Sequence, residues 1–197
     1  MPARSRQHAL DPEEDDEALL RRFASGDRLA ARDLSGRMAP LAYRVALRML
    51  GDAAEAEDVA QDAMIRLWRH AGDWRDEGAR VSTWLYRVVS NLAIDRIRRR
   101  RTVPLDAAPE PSDPAPGPEE RLTETARARA LEAALMDLPE RQRQAVVLRH
   151  LEGLGNPEIA EIMEVGVEAV ESLIARGKRT LAAALAGRRE ELGYGDA

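Results

Sequence analysis

Cysteine is absent from this chain, and each thing it does without narrows what it can be. With no thiol there is no disulfide staple, no thiolate nucleophile, no cysteine-ligated metal and no thiol-based redox sensor within the chain. Aromatic residues make up only 4% of the 197 residues, and β-branched clusters are scarce, so little favours sheet. No apolar run approaches the roughly 20 residues that a bilayer span requires. The opening MPARSRQHALDPEEDDEALL lacks the apolar core of a signal peptide, so a soluble cytoplasmic chain is expected, with no membrane association. The histidines His8, His70 and His150 are scattered without ligand spacing. No glycine-rich phosphate loop is present, and no nucleophile has a plausible base nearby in sequence. These absences argue against an enzyme, and they predict no cofactor and no metal.

What remains is a helix-forming composition, rich in alanine, leucine, arginine and glutamate. An all-α fold is predicted. The net charge of -5 is unevenly placed. Residues 1–101 carry 19 basic and 17 acidic groups, residues 102–120 carry five acidic and no basic ones, and residues 121–197 carry 11 and 13. The middle segment, TVPLDAAPEPSDPAPGPEE, also holds six of the eleven prolines, which remove donors and disfavour helix before them. The sequence therefore predicts a disordered acidic lead over 1–16, a small helical domain over 17–101, a flexible Pro-rich linker over 102–120, a second helical domain over 121–187 and a tail over 188–197.

Apolar spacing is helical throughout the first domain. LAYRVALRML puts Leu41, Ala42, Val45, Ala46, Met49 and Leu50 on one stripe; Gly51 closes that helix and Asp52 with Glu55 starts the next. In EAEDVAQDAMIRLWRH, Val59, Ala60, Ala63, Met64, Leu67 and Trp68 form the inner face. Asp58, Gln61, Asp62 and Ile65 share another, either a solvated surface or a docking face for a basic partner. A third helix carries Val81, Trp84, Leu85, Val88 and Leu92 as its stripe and ends in SNLAIDRIRRRR. Arg87, Asn91 and much of the arginine block, Arg96 and Arg98 to Arg101, then point away from the core. Such a block either complements the helix dipole or lies along phosphates. Trp74, Trp84 and Tyr86 flank WRDEGARVST, where rings beside Arg, Asn, Ser and Thr could stack an unpaired base or simply belong to the core.

In the second domain, LPERQRQAVVLRHLEG reads as a helix from Pro139 to Gly153, Asn156 and Pro157 cap PEIAEIME, and a turn at Val165 and Gly166 leads to VEAVESLIARGKRTLAAAL. The last helix is expected to bury Val167, Val170, Ile174, Leu181 and Leu185, with Leu173 beside them. Ala160 and Val170, ten residues apart, suit the contact of a helix-turn-helix.

Together, GDAAEAEDVAQDAMIRLWRH, WRDEGARVSTWLYRVVSNLAIDRIRRR and LMDLPERQRQAVVLRHLEGLGNPEIAEIMEVGVEAVESLIARGKRTL resemble regions 2 and 4 of an extracytoplasmic-function (ECF) sigma factor. The resemblance implies a promoter-specificity subunit with core RNA polymerase, promoter DNA and an anti-sigma factor as partners. It assigns Asp58, Gln61, Asp62 and Ile65 to the β′ clamp helices, and region 4 to the β flap. It assigns Trp74, Ser82, Thr83, Arg87, Asn91, Arg96, Arg98 and Arg99 to an opened -10 strand. For a duplex -35 element it implies Arg143, Arg149, Glu168, Glu171, Ser172, Arg176, Lys178 and Arg179. Where many members read approximately TVKSRLHRAR, this chain has AVESLIARGK, so Glu171, Leu173 and Ala175 replace frequent basic or hydrogen-bonding residues. Glu164 stands at a turn position where glycine is typical, which would shift the bend to Gly166. A DNA-binding regulator of another kind would also use the C-terminal helix pair, but it leaves the acidic face and the arginine-ended helix without a role. A purely structural helical adaptor is the remaining alternative.

Overall fold

The computed structural model describes residues 15–75, 80–102 and 119–186, and every regular element among them is a helix. Most of the acidic lead, most of the Pro-rich linker and the whole tail lie outside the described residues, and Asp16, expected in the lead, already opens the first helix. Four α-helices build the N-terminal unit: α1 (Asp16–Ala24), α2 (Arg28–Leu50), α3 (Ala53–His70) and α4 (Val81–Thr102), with a short 3-10 turn at Ala71–Asp73. Their ends are set by local chemistry. Asp27 accepts hydrogen bonds from the Leu29 and Ala30 N–H groups at 2.9 and 3.3 Å, Gly51 closes α2 in the left-handed region at φ 69°, and Asp52 accepts from the Glu55 N–H at 2.9 Å. Their packing is set by apolar stripes: Leu19, Leu20, Leu34, Val45, Met49, Val59, Leu67, Leu85 and Val89 are at most 1% exposed. Burying one such side chain contributes about 1.5–3 kcal/mol, against about 1 kcal/mol for a cap, so the stripes decide the bundle and the caps decide where each helix stops.

The C-terminal unit comprises α5 (Glu119–Met136), α6 (Glu140–Val146), α7 (Asn156–Met163) and α8 (Val167–Ala186). α6 runs into a single π turn over Val147–Leu151, and the chain reverses at Gly153 with φ 77°. Ala160 and Val170 are both buried, which gives the helix-turn-helix contact between α7 and α8. Several local expectations need correction. Gly155 occupies the cap position of α7, and Asn156 is already its first helical residue. The bend between α7 and α8 does not move to Gly166: Glu164 itself takes the left-handed conformation, φ 54° and ψ 49°. Val167 is 39% exposed, whereas Gly177, absent from the expected stripe, is buried. A Cβ there would meet Val146 Cγ2 at 2.6 Å, so glycine lets α8 approach α6 closely.

The larger correction concerns α4. Val81, Leu85, Val89 and Ala93 are its fully buried row, while Trp84, Val88 and Leu92 are only half-buried. A second face is also covered, carrying Thr83, Tyr86, Ser90, Ile94 and Ile97. The C-terminal unit packs on that side, with α4 touching α6 and α7, and α2 touching α5 and α6. Periodicity within one helix reports that two sides are apolar, but not which unit covers each.

Candidate nucleic-acid and protein interfaces

On α3, Asp58, Gln61, Asp62 and Ile65 are all exposed, and Ile65 keeps 39% of its surface in solvent. Asp58 pairs with Arg96 at 3.3 Å, both partly solvated. Two carboxylates, an amide and a bare isoleucine on one helix face suit a basic partner with an apolar contact point.

The aromatic group at the start of α4 is packed on itself. His70 stacks on Trp84 at 5.4 Å and 6° between planes, and Trp74 meets both rings edge-on, at 5.9 and 6.4 Å. The buried Trp74 Nε1 has no hydrogen-bond partner among the described residues. Residues 76–79 of the adjoining loop lie outside the described residues. Along α4, Ser82 is half-buried, Asn91 is exposed, and Thr83, 6% exposed, donates to Glu158 at 3.0 Å. Arg87 pairs with Glu164 at 3.0 Å. The arginine block fans out rather than forming a strip. Arg98 and Arg101 share Glu140 at 2.9 and 3.0 Å, Arg100 reaches Glu55 at 2.5 Å, Arg96 turns to Asp58, and Arg99 is exposed.

In the helix-turn-helix, Arg149, Asn156, Glu171, Ile174, Ala175, Lys178 and Arg179 line an open groove of about 470 Å³. Asn156 donates to Glu171 at 3.4 Å, Arg176 donates to Ser172 at 2.8 Å, and Glu168 is exposed. Partial burial, with Lys178 and Arg149 nearby, holds the His150 imidazole below its ordinary pKa. Seven of the eight residues expected at a -35 duplex thus lie on or beside one face of this unit. Arg143 is the exception. Only 4% exposed, it donates to the carbonyls of Met49, Met136 and Leu138, and burial followed by the Arg101 charge lowers its pKa. A guanidinium spent on three buried carbonyls holds the fold together and is not presented to phosphate.

Residues 34–103 match the family model for sigma-70 region 2, and residues 128–181 match sigma-70 region 4. ECF RNA polymerase sigma factor SigW of Bacillus subtilis (strain 168) is 32% identical over 173 residues, which cover 82% of this chain and 92% of SigW. The chain belongs to the ECF RNA polymerase sigma factors. SigE of Mycolicibacterium smegmatis (strain ATCC 700084 / mc(2)155), also an ECF sigma factor, is 35% identical over 175 residues, 85% of this chain and 67% of SigE. Among solved structures, CnrH in complex with the cytosolic domain of CnrY superposes with a TM-score of 0.66 at 28% identity, covering 88% of this chain and 99% of CnrH. The helix-turn-helix with its groove is therefore region 4, and the bundle from within α2 through α4 is region 2, with α1 preceding the matched residues.

One constellation escapes a sequence reading. Glu152, whose side chain is 1% exposed, accepts from Arg44 at 2.7 Å, from Tyr86 at 3.1 Å and from Arg48. Arg48 also donates to the Leu151 carbonyl at 2.8 Å. Burial, then Glu152, pushes the Tyr86 hydroxyl up to about 12, so it stays a donor, and the bond to Glu152 raises Arg44. Glu152 sits in the loop LEGLGN, more than sixty residues from each partner. The only hint was Tyr86, a large aromatic off the expected α4 stripe.

Proposed function

We propose that this chain binds core RNA polymerase through the α3 face of Asp58, Gln61, Asp62 and Ile65, and selects promoters by reading a -35 element as duplex and a -10 element as an opened strand. The observation that carries it is the α3 surface, where an isoleucine is left bare beside two exposed carboxylates while the residues behind it complete the core. The basic clamp helices of the β′ subunit are the partner of that chemistry in this family, and region 4 is offered to the β flap.

Region 4 enters the major groove with α8. Arg149, Arg176, Lys178 and Arg179 serve phosphates, and Ser172, Glu168 and Glu171 reach base edges, a glutamate accepting from cytosine N4. Trp74, Ser82, Thr83, Arg87 and Asn91 capture unstacked bases, with Arg96, Arg98 and Arg99 on the neighbouring phosphates. Opening costs about 1.4 kcal/mol per stacked step, and contacts made only with the separated strand shift that equilibrium. The chain itself makes and breaks no covalent bond, needs no cofactor, and acts in the cytoplasm where polymerase is. An anti-sigma factor is a further partner implied by the family, and it would cover the same α3 face; CnrH, similar in fold and sequence, is solved in complex with the cytosolic domain of CnrY.

Equilibrium binding to fluorescently labelled core polymerase tests this reading. Asp58→Arg/Asp62→Arg should weaken binding at least about tenfold, since like charges then face a basic surface. Thermal stability should hold, because exposed pairs contribute about 0–1 kcal/mol. Unchanged affinity in the folded double variant would remove α3 from the interface.

A further inference from the structure

Four glutamates of region 4 meet region 2, and three of the side chains they hold, Thr83, Arg87 and Arg98, are groups assigned above to the opened strand. Glu158 occupies Thr83, Glu164 occupies Arg87, and Glu140 occupies Arg98 and Arg101. Glu152 holds Arg44, Arg48 and Tyr86. Thr83, Tyr86, Arg87 and Arg98 fall on one side of α4 at helical spacing, and Ser90 and Ile94 between them are buried. A polyanion lying along that side would meet these same donors.

The four contacts differ in strength. The Glu164 and Glu140 pairs have well-solvated arginines, which salt screens. The Glu152 carboxylate is sealed from water and has three donors, so removing its charge leaves two guanidinium groups facing a weak acceptor. Glu152 is the anchor, and the other three align region 4 around it.

We propose that in the free chain region 4 occupies the strand-reading face of region 2 as an internal stand-in for nucleic acid, anchored by Glu152, and that strand capture requires this contact to break. The acidic character of region 4 then has a purpose beyond base reading. The inference rests on the assignment of α4 to the opened strand. The α3 face remains exposed in the closed arrangement, so polymerase can bind before region 4 lets go.

Because the chain has no cysteine, Arg69→Cys and Ala183→Cys, both at exposed positions, place a dye pair for energy transfer across the contact in the full-length protein. Glu152→Gln should lower transfer efficiency in low salt, and Glu140→Gln/Glu164→Gln should lower it less. The background protein should move toward the double variant's value as salt rises, yet stay above Glu152→Gln. A fluorescent single-stranded thymidine oligonucleotide should bind Glu152→Gln about tenfold more tightly, because the competent fraction limits apparent affinity. Circular dichroism checks that each variant keeps its helices. Equal transfer efficiency in folded Glu152→Gln would overturn the anchor. Lower efficiency with unchanged oligonucleotide affinity would overturn the competition with nucleic acid. The transfer measurement needs no polymerase, so failure of the polymerase reading would show separately, as absent binding by the wild type.

Discussion

Arg143 and Lys178 are both basic residues of region 4, yet burial gives them opposite work. Arg143→Ala should cost about 2–4 kcal/mol in thermal unfolding, since it leaves buried carbonyls unpaired and opens a cavity. Lys178→Ala should leave stability nearly unchanged and reduce the salt slope of promoter binding by about 0.9. Equal salt slopes would return Lys178 to the solvated surface. Glu17 adds a pH dependence. It accepts from the Val81 N–H at 2.8 Å while mostly buried; desolvation, then the neighbouring Asp15, raises its pKa. The native state therefore holds the proton to higher pH than the unfolded chain. Its cost is absent below the ordinary carboxylate range and complete above the raised value. Glu17→Gln, which can still accept from Val81, should gain relative stability as pH rises through that window, and a flat difference between pH 4 and 7 would contradict the burial argument.

At the scale of elements, α3 was legible because its two faces differ in kind: Val59, Ala63 and Leu67 lie inward, with Asp58, Asp62 and Ile65 outward. The caps at Asp52 and Gly51 were legible for the same local reason, since a carboxylate or a glycine at a helix end needs no distant partner. α4 was only half legible. Its second covered face and the sealed Glu152 arise from pairings across more than sixty residues, which no local period encodes. Gly177 was missed because a glycine inside a helical pattern shows nothing of what approaches it. Gly177→Ala should destabilise the chain by about 1–3 kcal/mol, because the stiff Val146 side chain must move away. Retained melting temperature would show that α6 and α8 separate easily.

For the whole molecule, two helical units of one ECF sigma factor are joined by a segment rich in proline and acid, and they meet through a carboxylate from one and basic groups from the other. The α3 face stays open, the groove of α8 stays open, and the side of α4 proposed to read the strand is occupied. Under the proposed function, that distribution would order events: polymerase first, duplex contact next, and the opened strand last. The most direct test of the central claim is run-off transcription from fragmented genomic DNA with core bacterial RNA polymerase, with and without this protein, comparing wild type with Asp58→Arg/Asp62→Arg. New start sites should appear that depend on the wild-type protein and vanish with the double variant. No new start sites, together with duplex DNA binding in the absence of polymerase, would contradict it and leave a conventional DNA-binding regulator.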